Sequence, residues 1–233
     1  MKIYLTRHGQ VLPDKFTGTV DCPDGDIALS DLGEKQAEFL GKELALRNFK
    51  GIIISSPYLR TMTTAEAVAS ACDVKIYPED VFREGVFSTK EIMSLKGMTL
   101  EELKERFPHV AEDAELEYPW WTTEIEDNPE AFSKRVDPLL DHLLASDHKE
   151  ILLVGHGASV GATVRYFMRK FGFEKPSGLK NVNCNLTEFE LDDNGELVRA
   201  VLFGNAHLPD EYLTSNTNKI DRFVPFVLER EGK

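Results

Sequence analysis

Short apolar runs alternating with amphipathic helical patterns predict an α/β fold, built on a mainly parallel sheet covered on both faces by helices. Two observations carry this expectation. Ile3–Leu5, Ile52–Ile54 and Ile151–Val154 are brief apolar runs that end abruptly in polar residues or glycine, the pattern of buried strands. Between and after them lie longer segments with apolar residues at helical spacing. The 233 residues, 42% of them hydrophobic and 29% charged, suffice for one buried core, so a single domain over 1–233 is predicted and a disordered chain excluded.

The helices follow in order. Ser30 ahead of Asp31-Leu32-Gly33-Glu34 is an N-cap for a helix to about Leu46, with Ala37, Leu40 and Leu44 on one stripe. Ser56-Pro57 places a capping hydroxyl and a first-turn proline before a helix from Tyr58 to about Ala71. Thr99-Leu100-Glu101-Glu102 forms a capping box for a short charged helix ended by Pro108. Asn128-Pro129 opens a helix toward Leu144, with a disturbance expected at Pro138. Ala158 to about Lys170 is a further helix. Asp193-Asn194-Gly195 between apolar runs at 186–191 and 196–203 marks a tight hairpin. Residues 85–127 are assigned to an inserted cap, and the Asn- and Thr-rich segment after Gly204 to a loosely ordered arm.

Bulk charge narrows the partners. A net charge of −13 repels polyanions, so nucleic acid and anionic membrane surfaces are not expected, and a small anionic ligand needs a local basic pocket. Three widely spaced cysteines, Cys22, Cys72 and Cys184, form neither a disulfide framework nor a paired metal pattern. Met1-Lys2-Ile3-Tyr4-Leu5 runs into Thr6-Arg7-His8 after only three strongly apolar residues, too few for a signal-peptide core, and no later stretch is long enough to span a bilayer, so a cytoplasmic location is expected. Nothing in the sequence sets an oligomeric state.

The chemical signal is a recurrence. One strand runs into Thr6-Arg7-His8-Gly9 and a later one into Gly155-His156-Gly157, each placing a histidine at a strand's carboxyl end. Ligands of open α/β sheets sit outside those ends, and Gly157 lets a ligand come close. Arg7 and Arg60 can face the same crevice, and two guanidinium forks with helix-start amides grip a phosphate. The same fixed cations repel a divalent metal, and no His-x-His or His-Glu-x-x-His spacing is present, so neither metal nor cofactor is expected. Neutral imidazole supplies a nucleophile near pH 7, with Arg7, Arg60 and His156 meeting the transferred group's charge. A carboxylic acid must protonate the leaving oxygen. Glu84, flanked by glycine and apolar residues, is the first candidate, with Glu91 and Asp21 as alternatives. Trp120-Trp121 is assigned to packing of the cap rather than to a substrate pocket, and His207 to structure. His109, His142 and His148 are placed in exposed segments.

Thr6-Arg7-His8-Gly9, Leu29-Ser30-Asp31-Leu32-Gly33 through Gln36-Ala37, Ser55-Ser56-Pro57 through Arg60 and Thr64-Ala65, and Gly155-His156-Gly157 together resemble the histidine phosphatase superfamily, also called phosphoglycerate mutase-like. The resemblance spans most of the chain and implies a three-layer α/β/α sandwich. It implies His8 as the phosphorylated nucleophile, Arg7, Arg60 and His156 as phosphoryl-binding residues, and Glu84 as the acid of a phosphomonoester hydrolase. Gln10-Val11-Leu12-Pro13 stands where the mutase branch has a Glu-Ser pair, so mutase activity is the alternative that loses ground. Cys22 to Ala28 lengthen the link before Leu29-Ser30. Gln10, Thr17 and Gly18 are secondary phosphate contacts in this reading, with a backbone-turn role as the alternative. Two other classes are weaker. A dinucleotide-binding oxidoreductase needs an acidic residue where Pro176 to Lys180 stand, and a phosphate-binding protein without catalysis would not need all five residues.

Overall fold

A computed structural model describes residues 1–11, 26–87, 96–122, 124–126, 128–215 and 218–230. The elements are β1 (Lys2–Arg7), α1 (Asp31–Leu46), β2 (Ile52–Ser55), α2 (Leu59–Cys72), β3 (Ile76–Pro78), α3 (Leu100–Arg106), α4 (Pro129–Leu144), β4 (Glu150–Gly155), α5 (Gly157–Phe171), β5 (Leu186–Leu191), β6 (Leu197–Gly204), β7 (Thr214–Ser215), β8 (Asn218–Lys219) and β9 (Phe226–Glu229). The main sheet runs β3-β2-β4-β1-β5-β6-β9. β3, β2, β4 and β1 are mutually parallel, whereas β5, β6 and β9 continue the sheet antiparallel. The hairpin expected around Asp193-Asn194-Gly195 is β5–β6.

Both faces are covered. Leu40 and Leu44 of α1 join Met62, Ala65 and Val68 of α2 and Tyr4, Ile53 and Leu152 of the sheet in one buried cluster. Phe132, Val136 and Leu140 of α4 and Val160 and Phe167 of α5 form the other with Ile3, Leu5 and Leu153. Alternate residues of β1 therefore serve opposite layers, which is why the run reads as uniformly apolar. Among the described residues no helix is long and apolar enough to cross a membrane.

Register positions the site. Arg7 pairs with Gly155 and Ser55 with Val154, so β1, β2 and β4 end almost level. The residues that follow, His8, Ser56 and His156, leave the sheet side by side.

Local signals hold at most helix starts. Ser30 Oγ accepts from Gly33 N–H, Asn128 caps Ala131 N–H, and Thr99 and Glu102 form the reciprocal capping box. Helix α2 departs from expectation. It begins at Leu59, and its first N–H is met by the carboxylate of Asp26 (2.9 and 3.1 Å) rather than by Ser56. Helix α4 passes through Pro138 unbroken; Pro138 and Lys134, the residue whose carbonyl a proline there leaves without its helical donor, both lie on the exposed face.

The described residues after Gly204 do not form a loose arm. Leu208 and Leu213 are fully buried, Gln36 Nε2 donates to Tyr212 O (2.6 Å) and Thr214 Oγ1 (2.8 Å), and β9 completes the sheet. The polar composition there hides two apolar anchors. In the stretch 107–114, Phe107, Val110 and Ala114 pack into the α1–α2 cluster, and the backbone bonds to Ile76 on both sides.

Candidate active site

His8 is held by its backbone before its ring is considered. Its N–H donates to Gly155 O (3.0 Å), Asn183 Nδ2 donates to its carbonyl (2.9 Å), and Cys184 N–H donates to Arg7 O (2.9 Å). Gly9 and Gly33 permit the close approach of β1's exit to α1: a Cβ on Gly33 would lie 2.0 Å from Gln10 O. The imidazole is buried, with Nδ1 2.7 Å from Gly9 O. A carbonyl oxygen only accepts, so Nδ1 carries the proton and the neutral ring keeps its lone pair on Nε2.

His156 lies opposite, its ring centroid 5.2 Å from that of His8 at 62°. It is fully buried, and its Nε2 is 2.8 Å from Ser56 Oγ. The hydroxyl expected to cap α2 is thus used by His156, since a buried imidazole nitrogen costs more to leave unpaired than a helix-start N–H that Asp26 can reach. Tyr58 stacks edge-on against His156 (5.0 Å) and carries the Arg60 guanidinium on its face (4.2 Å). Burial pushes the Tyr58 phenol up to about 12, so the ring stays neutral beside the Arg60 guanidinium.

The two arginines are almost fully enclosed, with Arg7 8% and Arg60 5% exposed. Arg7 Nη1 donates to Asn181 O (3.1 Å) and Ser215 Oγ (3.3 Å). Burial holds the Arg7 guanidinium below its ordinary value; Glu84 opposes that shift and Arg60 adds to it, so all three lie within electrostatic reach. Arg60 Nη1 stands 4.0 Å from Asp26 Oδ1. Glu84 closes the circle at the N-terminus of α5, where its Oε1 accepts from Ala158 N–H (3.2 Å) and Gly85 N–H (3.1 Å). Its Oε2 is 4.0 Å from where a Cβ on Gly157 would stand, so Gly157 leaves that flank open.

The structure therefore gathers His8, Arg7, Arg60, His156, Glu84 and Gly157. Gln10 anchors the start of α1: its N–H donates to Gln36 Oε1 (2.8 Å) and its Oε1 accepts from Ser30 Oγ (2.8 Å). Thr17, Gly18, Asp21 and Glu91 lie outside the described residues. Trp120 is buried and donates Nε1–H to Met98 O (2.9 Å), a packing role. His207 is also structural, with Nε2 2.9 Å from Cys184 O. His109, expected in an exposed segment, is tied to α2 through Glu66 (2.5 Å). Asp26, Ser56, Tyr58 and Asn183 were not marked as site residues by the sequence. Of these only Ser56 and Tyr58 carried a signal, as neighbours of a strand end.

Two imidazoles and two guanidinium groups around one crevice, with a carboxylate at its edge, define the class of a phosphoryl-transfer enzyme. Comparison with known proteins agrees. The family model described as histidine phosphatase superfamily (branch 1) matches residues 3–203. An uncharacterized phosphatase, PhoE of Bacillus subtilis, is 30% identical over 168 residues, covering 69% of this chain and 74% of that protein. Among solved structures, the ecdysone phosphate phosphatase of Bombix mori in complex with tungstate superposes with a TM-score of 0.64 at 17% identity, covering 95% of this chain and 97% of that one. A phosphoserine phosphatase from Entamoeba histolytica, in complex with 3-phosphoglyceric acid, gives 0.54 at 23% identity, with 89% and 99% covered. The chain belongs to the histidine phosphatase superfamily, and its activity is that of a phosphatase.

Proposed function

We propose that the chain hydrolyses small phosphomonoesters through a phosphohistidine on His8, without a metal. The observation that carries this reading is the orientation of His8. With Nδ1–H held by Gly9 O, the lone pair on Nε2 belongs to a buried ring set 5.2 Å from His156. In the first step Nε2 forms a bond to phosphorus while the ester P–O bond breaks, and Glu84 gives its proton to the departing alkoxide. In the second, water attacks phosphorus with Glu84 taking the proton, the N–P bond breaks and phosphate leaves. Arg7, Arg60 and His156 hold the non-bridging oxygens through both steps, each charge-assisted hydrogen bond contributing about 1.5–3 kcal/mol.

We assign the whole chain to one domain, in which 85–127 covers the crevice and selects the alcohol. A cytoplasmic location is part of the same proposal, supported by Cys72 and Cys184, which are both buried free thiols. The deciding experiment is an acid quench during turnover of a ³²P-labelled ester. Acid-labile, alkali-stable label is expected on the protein, absent from His8→Ala. Full activity of that variant would overturn the mechanism. Turnover that EDTA abolishes and Zn²⁺ or Mg²⁺ restores would favour a metal hydrolase instead.

A further inference from the structure

We propose that the alcohol released by this phosphatase is bulky and apolar, and that it lies on a hydrocarbon rim formed by Phe87, Ile125, Trp121 and Tyr118. The inference rests on the reading above, because it concerns the leaving group of the same reaction.

Large apolar side chains exposed at the surface are informative when they cluster. Phe87 (52%), Tyr118 (53%) and Ile125 (51%) are among the few such side chains of the described residues, and all three lie on the stretch that begins at the acid Glu84. Their placement is tied to the site by bonds. Glu126 N–H donates to Val86 O (2.8 Å), which ties the backbone that follows Ile125 to the backbone that precedes Phe87, three residues from Glu84. On the other flank an unbroken series of edge-on rings leads outward from the crevice. His156 meets Tyr58 at 5.0 Å, Tyr58 meets Trp120 at 5.0 Å, Trp120 meets Trp121 at 5.5 Å, and Trp121 meets Tyr118 at 5.2 Å. Trp120 and Tyr58 are buried and serve packing, but Trp121 is half-buried and Tyr118 exposed, so the outer end of the series presents ring surface to whatever emerges from the phosphoryl site.

The two guanidinium groups of this region, those of Arg83 and Arg135, are already engaged. Arg83 and Arg135 both reach Glu126, at 3.0 and 3.2 Å, so a substrate carboxylate would compete with a half-buried Glu126 for them. Small polar alcohols with a second anionic group therefore gain little here. A hydrocarbon or aromatic leaving group would cover apolar surface that water now touches, the usual composition of a ligand pocket beyond its few orienting polar groups.

The test compares two unactivated alkyl esters, 2-phenylethyl phosphate and phosphoserine, so that leaving-group basicity does not decide the outcome. The expected kcat/KM ratio is about 10- to 100-fold in favour of the phenylethyl ester, the factor that covering one ring yields. Phe87→Ala and Tyr118→Ala should each lower that ratio several-fold, whereas Val224→Ala, an exposed apolar site on a loop remote in sequence, should leave it alone. Hydrolysis of both esters at equal kcat/KM, or variants that leave the ratio unchanged, would overturn the apolar rim while the phosphatase reading survives. Turnover of neither ester by the wild-type enzyme would overturn both.

Discussion

Asp26→Ala should unseat Arg60 and destabilise the fold. The Asp26 carboxylate accepts the first N–H of α2 through both oxygens and stands 4.0 Å from Arg60 Nη1, with both side chains less than a tenth exposed. Losing a hydrogen bond to a charged acceptor costs about 1.5–3 kcal/mol. Stripping a buried cation of its partner costs about 3–5 kcal/mol. One carboxylate does both tasks and the ion pair is long, so the two do not add, and a loss of about 3 kcal/mol is expected. For a chain of this size that is a fall in Tm of about 6–12 °C. Asp26→Asn keeps an acceptor for Leu59 and should lose about half as much. Inorganic phosphate offers Arg60 a replacement anion, so saturating phosphate should raise the Tm of Asp26→Ala by more than it raises the wild type. Scanning calorimetry with and without phosphate reads both numbers. A variant within 2 °C of wild type, shifted equally by phosphate, would show that Asp26 neither caps α2 nor steadies Arg60.

Ser56→Ala removes the 2.8 Å partner of the buried His156 Nε2, and kcat/KM should fall about 10- to 100-fold with Ser56→Thr largely restoring it; steady-state kinetics on one ester decides. Gly33→Ala puts a Cβ 2.0 Å from Gln10 O, so β1's exit and α1 must separate, and urea unfolding should show a loss of at least about 2 kcal/mol. Burial holds the His207 imidazole below its ordinary value of 6.5, against the pull of its bond to Cys184 O. The unfolded chain therefore takes the proton first as pH falls, so this contribution is complete above about 6.5 and is lost on acidification. In His207→Gln the decline of unfolding free energy between pH 7.5 and 5.5 should be shallower, and an unchanged slope would assign that decline to other groups.

The parts of the site that could be read from sequence are those whose position depends on a strand's end. Thr6-Arg7-His8-Gly9 and Gly155-His156-Gly157 follow apolar runs, and parallel pairing with Arg7 opposite Gly155 does the rest. Arg60 was legible for the same reason, one helical turn past β2. Contacts that bridge distant segments carried no local mark. Asp26 reaches Leu59 across 33 residues, and a Ser-Pro pair at Ser56 imitates a cap closely enough to conceal that its hydroxyl serves His156, 100 residues away. Composition misled at the C-terminal end, where Asn and Thr outnumber the two leucines that anchor it. Pro138 misled because a proline's effect on a helix depends on which face it occupies, and only packing decides that face.

Burial of Arg7 and Arg60 would let a chain with net charge −13 hold the dianion that the proposed reaction requires. Exposed arginines would be screened by salt and outweighed by the surrounding carboxylates. Enclosed ones have already lost most of their water during folding, which is why burial depresses Arg7 even with Glu84 nearby. The cost of that desolvation is met by Asp26, Asn181 O, Ser215 and the face of Tyr58, none of which can follow phosphorus as its charge redistributes. A phosphoryl group entering the crevice therefore meets cations that need little reorganisation, at the short range where attraction exceeds the chain's diffuse repulsion. The same enclosure sets a limit on the substrate: the anion must be small enough to enter, and anything larger has to trail out past Glu84 and over the aromatic rim.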